Sequence, residues 1–134
     1  MIRWASPLLV VAFSSCTMAE KELSPCFQVS DLQAGDRFAG VVILEATHVG
    51  RTIMLPLACE GGGPALLPEG YSLSKTSRNG DGPSSAGAQF YRAEVQGHVI
   101  NRKDGDGIAF EVTQITNVEG TWPRWLKSEY RDPY

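Results

Sequence analysis

From position 38 the chain reads Phe-Ala-Gly-Val-Val-Ile-Leu-Glu-Ala, a β-branched run introduced by the turn residues Ala34, Gly35 and Asp36. A run of this kind bounded by turn residues predicts a strand over residues 38–46. Residues 47–50 make a turn, and residues 52–59 return as a second strand, its end marked by Pro56 and then by Gly61, Gly62 and Gly63. The connection is short, so the two strands are expected to pair as a hairpin. A clearer alternation starts at Phe90. Tyr91, Ala93, Val95 and Val99 fall on one side and Arg92, Glu94, Gln96 and His98 on the other, the period of a half-buried strand. Gly97 interrupts the apolar side and predicts a bulge or bend. Residues 103–107 form a Gly-rich hairpin turn, after which Ile108, Phe110 and Val112 alternate again. The phase then slips to Ile115 and Val118, the mark of another bulge.

Between the two hairpins the pattern fades. Residues 60–89 are dense in glycine and carry Pro64, Pro68 and Pro83. Only residues 65–67 and 71–73 are apolar enough for short strands. Residues 74–89, with Asn79-Gly80-Asp81-Gly82 at the tip, are expected to be an exposed, mobile loop without apolar anchors. At the C-terminus, residues 121–134 form an aromatic tail in which Trp122, Trp125, Leu126 and Tyr130 follow Pro123 at the spacing of one helical face. Two roles are open to this tail: a strap that docks on the strands and covers an open end, or an exposed patch in which Trp122 and Trp125 contact a partner or a sugar.

The start of the chain changes the picture. Arg3, the apolar run over residues 5–13 and then Ser14, Ser15 and Cys16 have the layout of a secretory leader. The run is about half the roughly 20 residues that a membrane-spanning helix needs. Phe13-Ser14-Ser15-Cys16 resembles a bacterial lipobox, although Phe13 stands where that motif usually has Leu, Val or Ile. The resemblance implies a mature chain beginning at a lipidated Cys16, with residues 1–15 removed. Thr17-Met18-Ala19 offers the alternative of ordinary cleavage after residue 19, which gives a soluble periplasmic or secreted protein. With Thr17 rather than Asp after the cysteine, the lipoprotein reading leans to the outer membrane, facing the periplasm. Residues 20–36 then read as a tether and lead-in to a domain spanning residues 37–120.

Under either cleavage Cys26 and Cys59 remain as an even pair, which an oxidising compartment closes. Closing a loop of about 34 residues stabilises a domain by about 3.7 kcal/mol in the chain-entropy model.

Removing the leader takes Arg3 with it and moves the formal net charge from -3 to -4. A mildly acidic surface argues against a nucleic-acid partner, which needs clustered Lys and Arg. Arg102-Lys103 is the one adjacent basic pair, and Asp104 and Asp106 follow it.

Two hairpins, a weak element between them and glycines at the bends suit an all-β fold, a small antiparallel barrel. Residues 90–118, with Val95-Gln96-Gly97-His98-Val99 leading through the Gly-Asp turn to Phe110-Glu111-Val112 and Ile115, resemble the last two strands of an OB-fold, the oligonucleotide/oligosaccharide-binding barrel. Residues 38–57 are similar to its first hairpin. The departures are a poorly marked third strand and no obvious helix between strands three and four.

Candidate chemistry is sparse. His48 falls in a turn and His98 on the polar side of a strand, so both read as solvated. Asp104 and Asp106 lack the further ligands of a calcium loop, and Gly61-Gly62-Gly63 lacks the Lys and Ser/Thr of a phosphate loop. No catalytic residue, metal ligand or cofactor is predicted. The expected function is a non-enzymatic envelope binding or assembly module with an envelope protein as partner, possible lipid anchoring at Cys16 included. The alternatives are an inhibitor or immunity protein blocking a hydrolase with residues 74–89, and a carbohydrate or small-ligand binder using Trp122 and Trp125.

Overall fold

The computed structural model describes residues 19–131, so Cys16 and the leader lie outside the described residues. Strands dominate: β1 (Lys21–Glu22), β2 (Arg37–Ala46), β3 (Thr52–Leu55), β4 (Gly63–Leu66), β5 (Ser84–Ser85), β6 (Ala88–Asn101) and β7 (Ile108–Gly120). One helical turn, α1 (Leu73–Thr76), separates β4 from β5, and 3-10 turns occupy Val29–Asp31 and Ser128–Tyr130.

The fold is all-β, as the alternation predicts, and both expected hairpins form: β2 with β3 and β6 with β7. β2 is long enough to pair along its whole length with β6 while its C-terminal half also pairs with β3. β3 continues to β4, and β4 lies parallel to β7 through Ala65 with Phe110 and Leu66 with Glu111. The pairings therefore run β2-β3-β4-β7-β6 and return to β2, closing a ring of strands.

Inward side chains of the ring form the core. Phe38, Val42 and Leu44 from β2, Met54 from β3, Tyr91, Ala93, Val95 and Val99 from β6, and Phe110 and Val112 from β7 are all buried together. Removing a side chain of this size from water contributes about 1.5–3 kcal/mol. Phe110 is the hub: its ring meets Phe38 edge-on at 5.5 Å and Phe27 at 5.9 Å. Both sequence irregularities are bulges on β7. Register shifts at Gln96/Gly97 and at Arg92/Glu94, where Thr113 and the positive-φ Asn117 are extra, move Ile115 and Val118 back into phase with the core.

Gly97 has a steric reason. A Cβ there would stand 2.0 Å from the Glu111 carbonyl oxygen and 2.8 Å from the Phe38 ring. Only a bare backbone lets β6 cross this close to β7 above the Phe38 side chain.

Five expectations need correction. The segment from residue 20 is no tether: β1 pairs in parallel with β2, and Leu23 and Phe27 are buried in the core. Their apolar side chains drive it inward, and Gly40 makes room, since a Cβ at Gly40 would lie 2.9 Å from Leu23 Cβ. β3 stops at Leu55 because Pro56 cannot donate to a ladder. Residues 71–73 are not a strand; Ser72 caps α1 by accepting from the Lys75 N–H, and Leu73 plugs the core. The tail is a turn and a 3-10 turn rather than an α-helix, and it covers an outer face instead of an open end.

Residues 74–89 are also anchored, by polar groups rather than apolar ones. Asn79 bonds the Gly120 backbone, the Arg78 N–H donates to the Val118 carbonyl, and Ser85 Oγ donates to the Tyr130 carbonyl. Gly82 lies against the backbone of Phe90, where a Cβ would come within 2.3 Å of the carbonyl oxygen.

The predicted disulfide is present. Cys26 and Cys59 bridge with Cα atoms 5.1 Å apart, and the Ala58 N–H donates to the Pro25 carbonyl beside them. The bridge ties the N-terminal segment to the chain just past β3.

Candidate functional site

At one end of the ring, the turn after β2 and the turn between β6 and β7 face each other across a groove of about 510 Å³. The volume is in the range of ligand clefts. Each flank is built by a hairpin turn. On one side Thr47 closes residues 47–51: its N–H and hydroxyl donate to the Arg51 carbonyl, its hydroxyl accepts the Arg51 N–H and its carbonyl accepts the Gly50 N–H, which delivers Gly50 and Arg51 to the groove. On the other, the Arg102 N–H donates to the Gly107 carbonyl and delivers Arg102, Lys103 and Asp104. Between the flanks lie Pro64, Ala65, Leu66, Leu67, Ile100 and Ala109, with Tyr71 at the edge.

Leu66 is 50% exposed, one of the few large apolar side chains left in water among the described residues. Its neighbours in the lining are three cations and one anion. Arg102 Nε donates to Asp104 Oδ1 at 3.3 Å. This bond, followed by the attraction of the Arg102 charge, holds the Asp104 carboxyl below the usual carboxylate range, and the Arg51 guanidinium adds a smaller pull from the facing turn. Arg51 and Lys103 have no ion-pair partner among the described residues. In a chain of net charge -3 the groove is locally positive.

The aromatic tail forms a different surface. Ile43, Leu55 and Phe90 point outward from β2, β3 and β6 and are buried beneath Trp122, Trp125 and Leu126. The Trp122 ring lies 5.9 Å from Phe90, the Arg131 guanidinium sits over Trp122 at 5.2 Å, and Trp125 Nε1 donates to the Pro56 carbonyl. Glu45, in register with Ile53 and Phe90, borders this patch, and burial raises its carboxyl pKa. Trp122 and Trp125 thus have their rings and the indole N–H of Trp125 engaged within the molecule, with only part of each side chain facing solvent.

The other sequence candidates do not converge. His48 and His98 are exposed and on separate elements. Among the described residues no group of His, Cys, Asp and Glu is placed to hold a metal ion. Residues 74–89, the segment an inhibitor would extend, are held to Gly120 and Val118.

Sequence reading passed over the groove, although it singled out Arg102-Lys103. Their signal lay in being the basic residues of a hairpin turn; it became legible only once Arg51, 51 residues earlier in the sequence, stood opposite.

Comparison of the chain with protein-family models, curated proteins and solved structures finds no match.

Proposed function

We propose that this protein is a non-enzymatic binding module of the bacterial cell envelope that holds a partner in the groove between residues 47–51 and 102–107. The observation that carries the reading is a locally positive, partly apolar groove on an otherwise acidic molecule, with Arg51 and Lys103 without an ion-pair partner among the described residues and Leu66 exposed. Exposed cations beside exposed aliphatic surface form a combination that complements a partner carrying both negative charge and apolar groups.

The ring of strands is, in this reading, an OB-type barrel. Its order β2-β3-β4-β7-β6, the parallel β4–β7 pair and the helical turn between β4 and β6 support the assignment. In that architecture the second and third strands and the two hairpin loops form the ligand face, which is where Thr52, Leu66, Arg51 and Arg102 stand.

The Cys26–Cys59 bridge is compatible with an oxidising compartment and so with export. Cys16 is proposed as the lipidated first residue, with cleavage after residue 19 as the alternative outcome. Because Leu23 is already buried in the domain, a lipid at Cys16 would hold the barrel close to the bilayer with only a few residues between.

The test is photo-crosslinking in envelope extract, with a photoreactive side chain at Leu66 and, as control, at Gln114 on the outer face of β7. A partner captured from Leu66 and not from Gln114 is expected. Equal capture from both positions, or none from Leu66, overturns the reading.

A further inference from the structure

We infer that the groove takes an extended polypeptide segment in which acidic side chains are interspersed with aliphatic ones; the inference rests on the groove being the contact site. The charge is the first argument. Arg51, Arg102 and Lys103 face a shared space with Asp104 as the sole anion of the lining. A ligand that complements this must bring negative charge.

A carboxylate is the one anion that the cations of this lining pair with among the described residues. Arg102 already binds one through Nε, that of Asp104, and no other side-chain bond of its guanidinium is made among the described residues. The remaining guanidinium edge, Arg51 and Lys103 are left for the carboxylates of a partner.

The rest of the lining separates peptide from the other anionic chains. Nucleic-acid strands are held by stacking their bases on aromatic rings. The one aromatic residue here, Tyr71, packs its ring against the core, and its hydroxyl accepts from Thr76 Oγ1 at 2.8 Å. Sugars carry a hydroxyl on nearly every ring carbon, and each needs a partner when desolvated. The lining contains no Asn, Gln or Ser, and of its uncharged residues only Thr52 and Tyr71 have a polar side chain. What it does offer is aliphatic surface: Leu66, Ile100 and Pro64. Leu, Ile and Val side chains fit such a surface, and a polypeptide is the chain that supplies them together with carboxylates.

The experiment is selection of a random peptide display library on the oxidised full-domain protein, followed by anisotropy titration of the synthesised consensus peptide. The expected consensus has Asp or Glu among Leu, Ile or Val. Binding is expected to weaken by at least about tenfold with Arg51→Glu and with Lys103→Glu, with the melting temperature of each variant unchanged, and to weaken in raised salt. A consensus that is basic or aromatic, no consensus at all, or an acidic consensus whose affinity neither charge reversal moves would overturn the inference. Titrations with an oligo-uronate and an oligothymidylate complete the set: tighter binding of either than of the peptide also overturns it. The outcomes stay separable from those of the crosslinking test, because a partner caught at Leu66 alongside a non-acidic consensus defeats only the ligand class, whereas no capture at Leu66 defeats the groove itself.

Discussion

The side-chain amide of Asn79 bonds both backbone groups of Gly120, 41 residues further along the chain. Its Nδ2 donates to the Gly120 carbonyl at 3.0 Å, and its Oδ1 accepts the Gly120 N–H at 2.7 Å. One side chain here does the work of a ladder rung, joining the glycine-rich segment after α1 to the end of β7. Gly120 admits it because a Cβ would stand 2.8 Å from Gly82 Cα.

Asn79→Ala is expected to remove both bonds. The bond that Asn79 Oδ1 accepts from Ser77 Oγ goes with them; the loss should be about 1–2 kcal/mol for hydrogen bonds at an exposed site, and limited proteolysis should then cut residues 77–87 faster than in the parent. An unchanged cutting pattern would show that Gly82 and Ser85 suffice to hold the segment.

A second expectation concerns acid. The Lys21 ammonium, bonded to Asp36 at 2.9 Å, holds the Asp36 carboxyl below its usual 3.8, and the Gln33 N–H adds to this. A carboxyl whose folded pKa is depressed contributes stability that is present above the unfolded value and lost as pH falls through the folded one. Asp36→Asn should therefore be less stable than the parent by a constant margin at neutral pH, and the margin should shrink below about pH 4. Urea melts across pH 7 to 2 check it. A margin independent of pH would assign the effect of Asp36 to its hydrogen-bonding shape rather than its charge.

The Cys26–Cys59 bridge spans a sequence separation of 33. Thiol labelling of oxidised, denatured protein should find neither cysteine reactive. Replacing both with Ser should lower stability by about 3.7 kcal/mol or less, depending on structure left in the unfolded chain. Free thiols at both positions would remove the main support for an oxidising compartment.

Two glycines separate steric demand from composition. Gly97→Ala must push its methyl into the Glu111 carbonyl and the Phe38 ring, whereas an added Cβ at Gly105 meets nothing within 4 Å. The first should destabilise by more than about 3 kcal/mol or prevent folding, and the second should change stability by less than about 0.5 kcal/mol. Comparable melting temperatures for the two would mean that β6 and β7 can separate at Gly97 without loss.

Local pattern determined the strands that are half-buried and long. β2 is visible as a β-branched run and β6 and β7 by their alternation of apolar and polar residues, and the two bulges are visible because the period slips from Val112 to Ile115, opposite Gly97, and again from Ile115 to Val118. The disulfide was legible from thiol parity, a property of the chain and its compartment. Tertiary structure decided the rest. Leu23 and Phe27 lie in a stretch too short and polar to show a period, and they are core residues because Gly40 and Phe110 leave space for them. The outer face of β2, β3 and β6 gave Ile43, Leu55 and Phe90 no sign of burial until Trp122 and Trp125 covered it. The groove is the extreme case. Arg51 and Arg102 belong to two separate turns and Leu66 to the end of β4, and no spacing in sequence relates them; ring closure through β4 and β7 puts them side by side, since the pairings of β3, β4 and β7 fix where each lies.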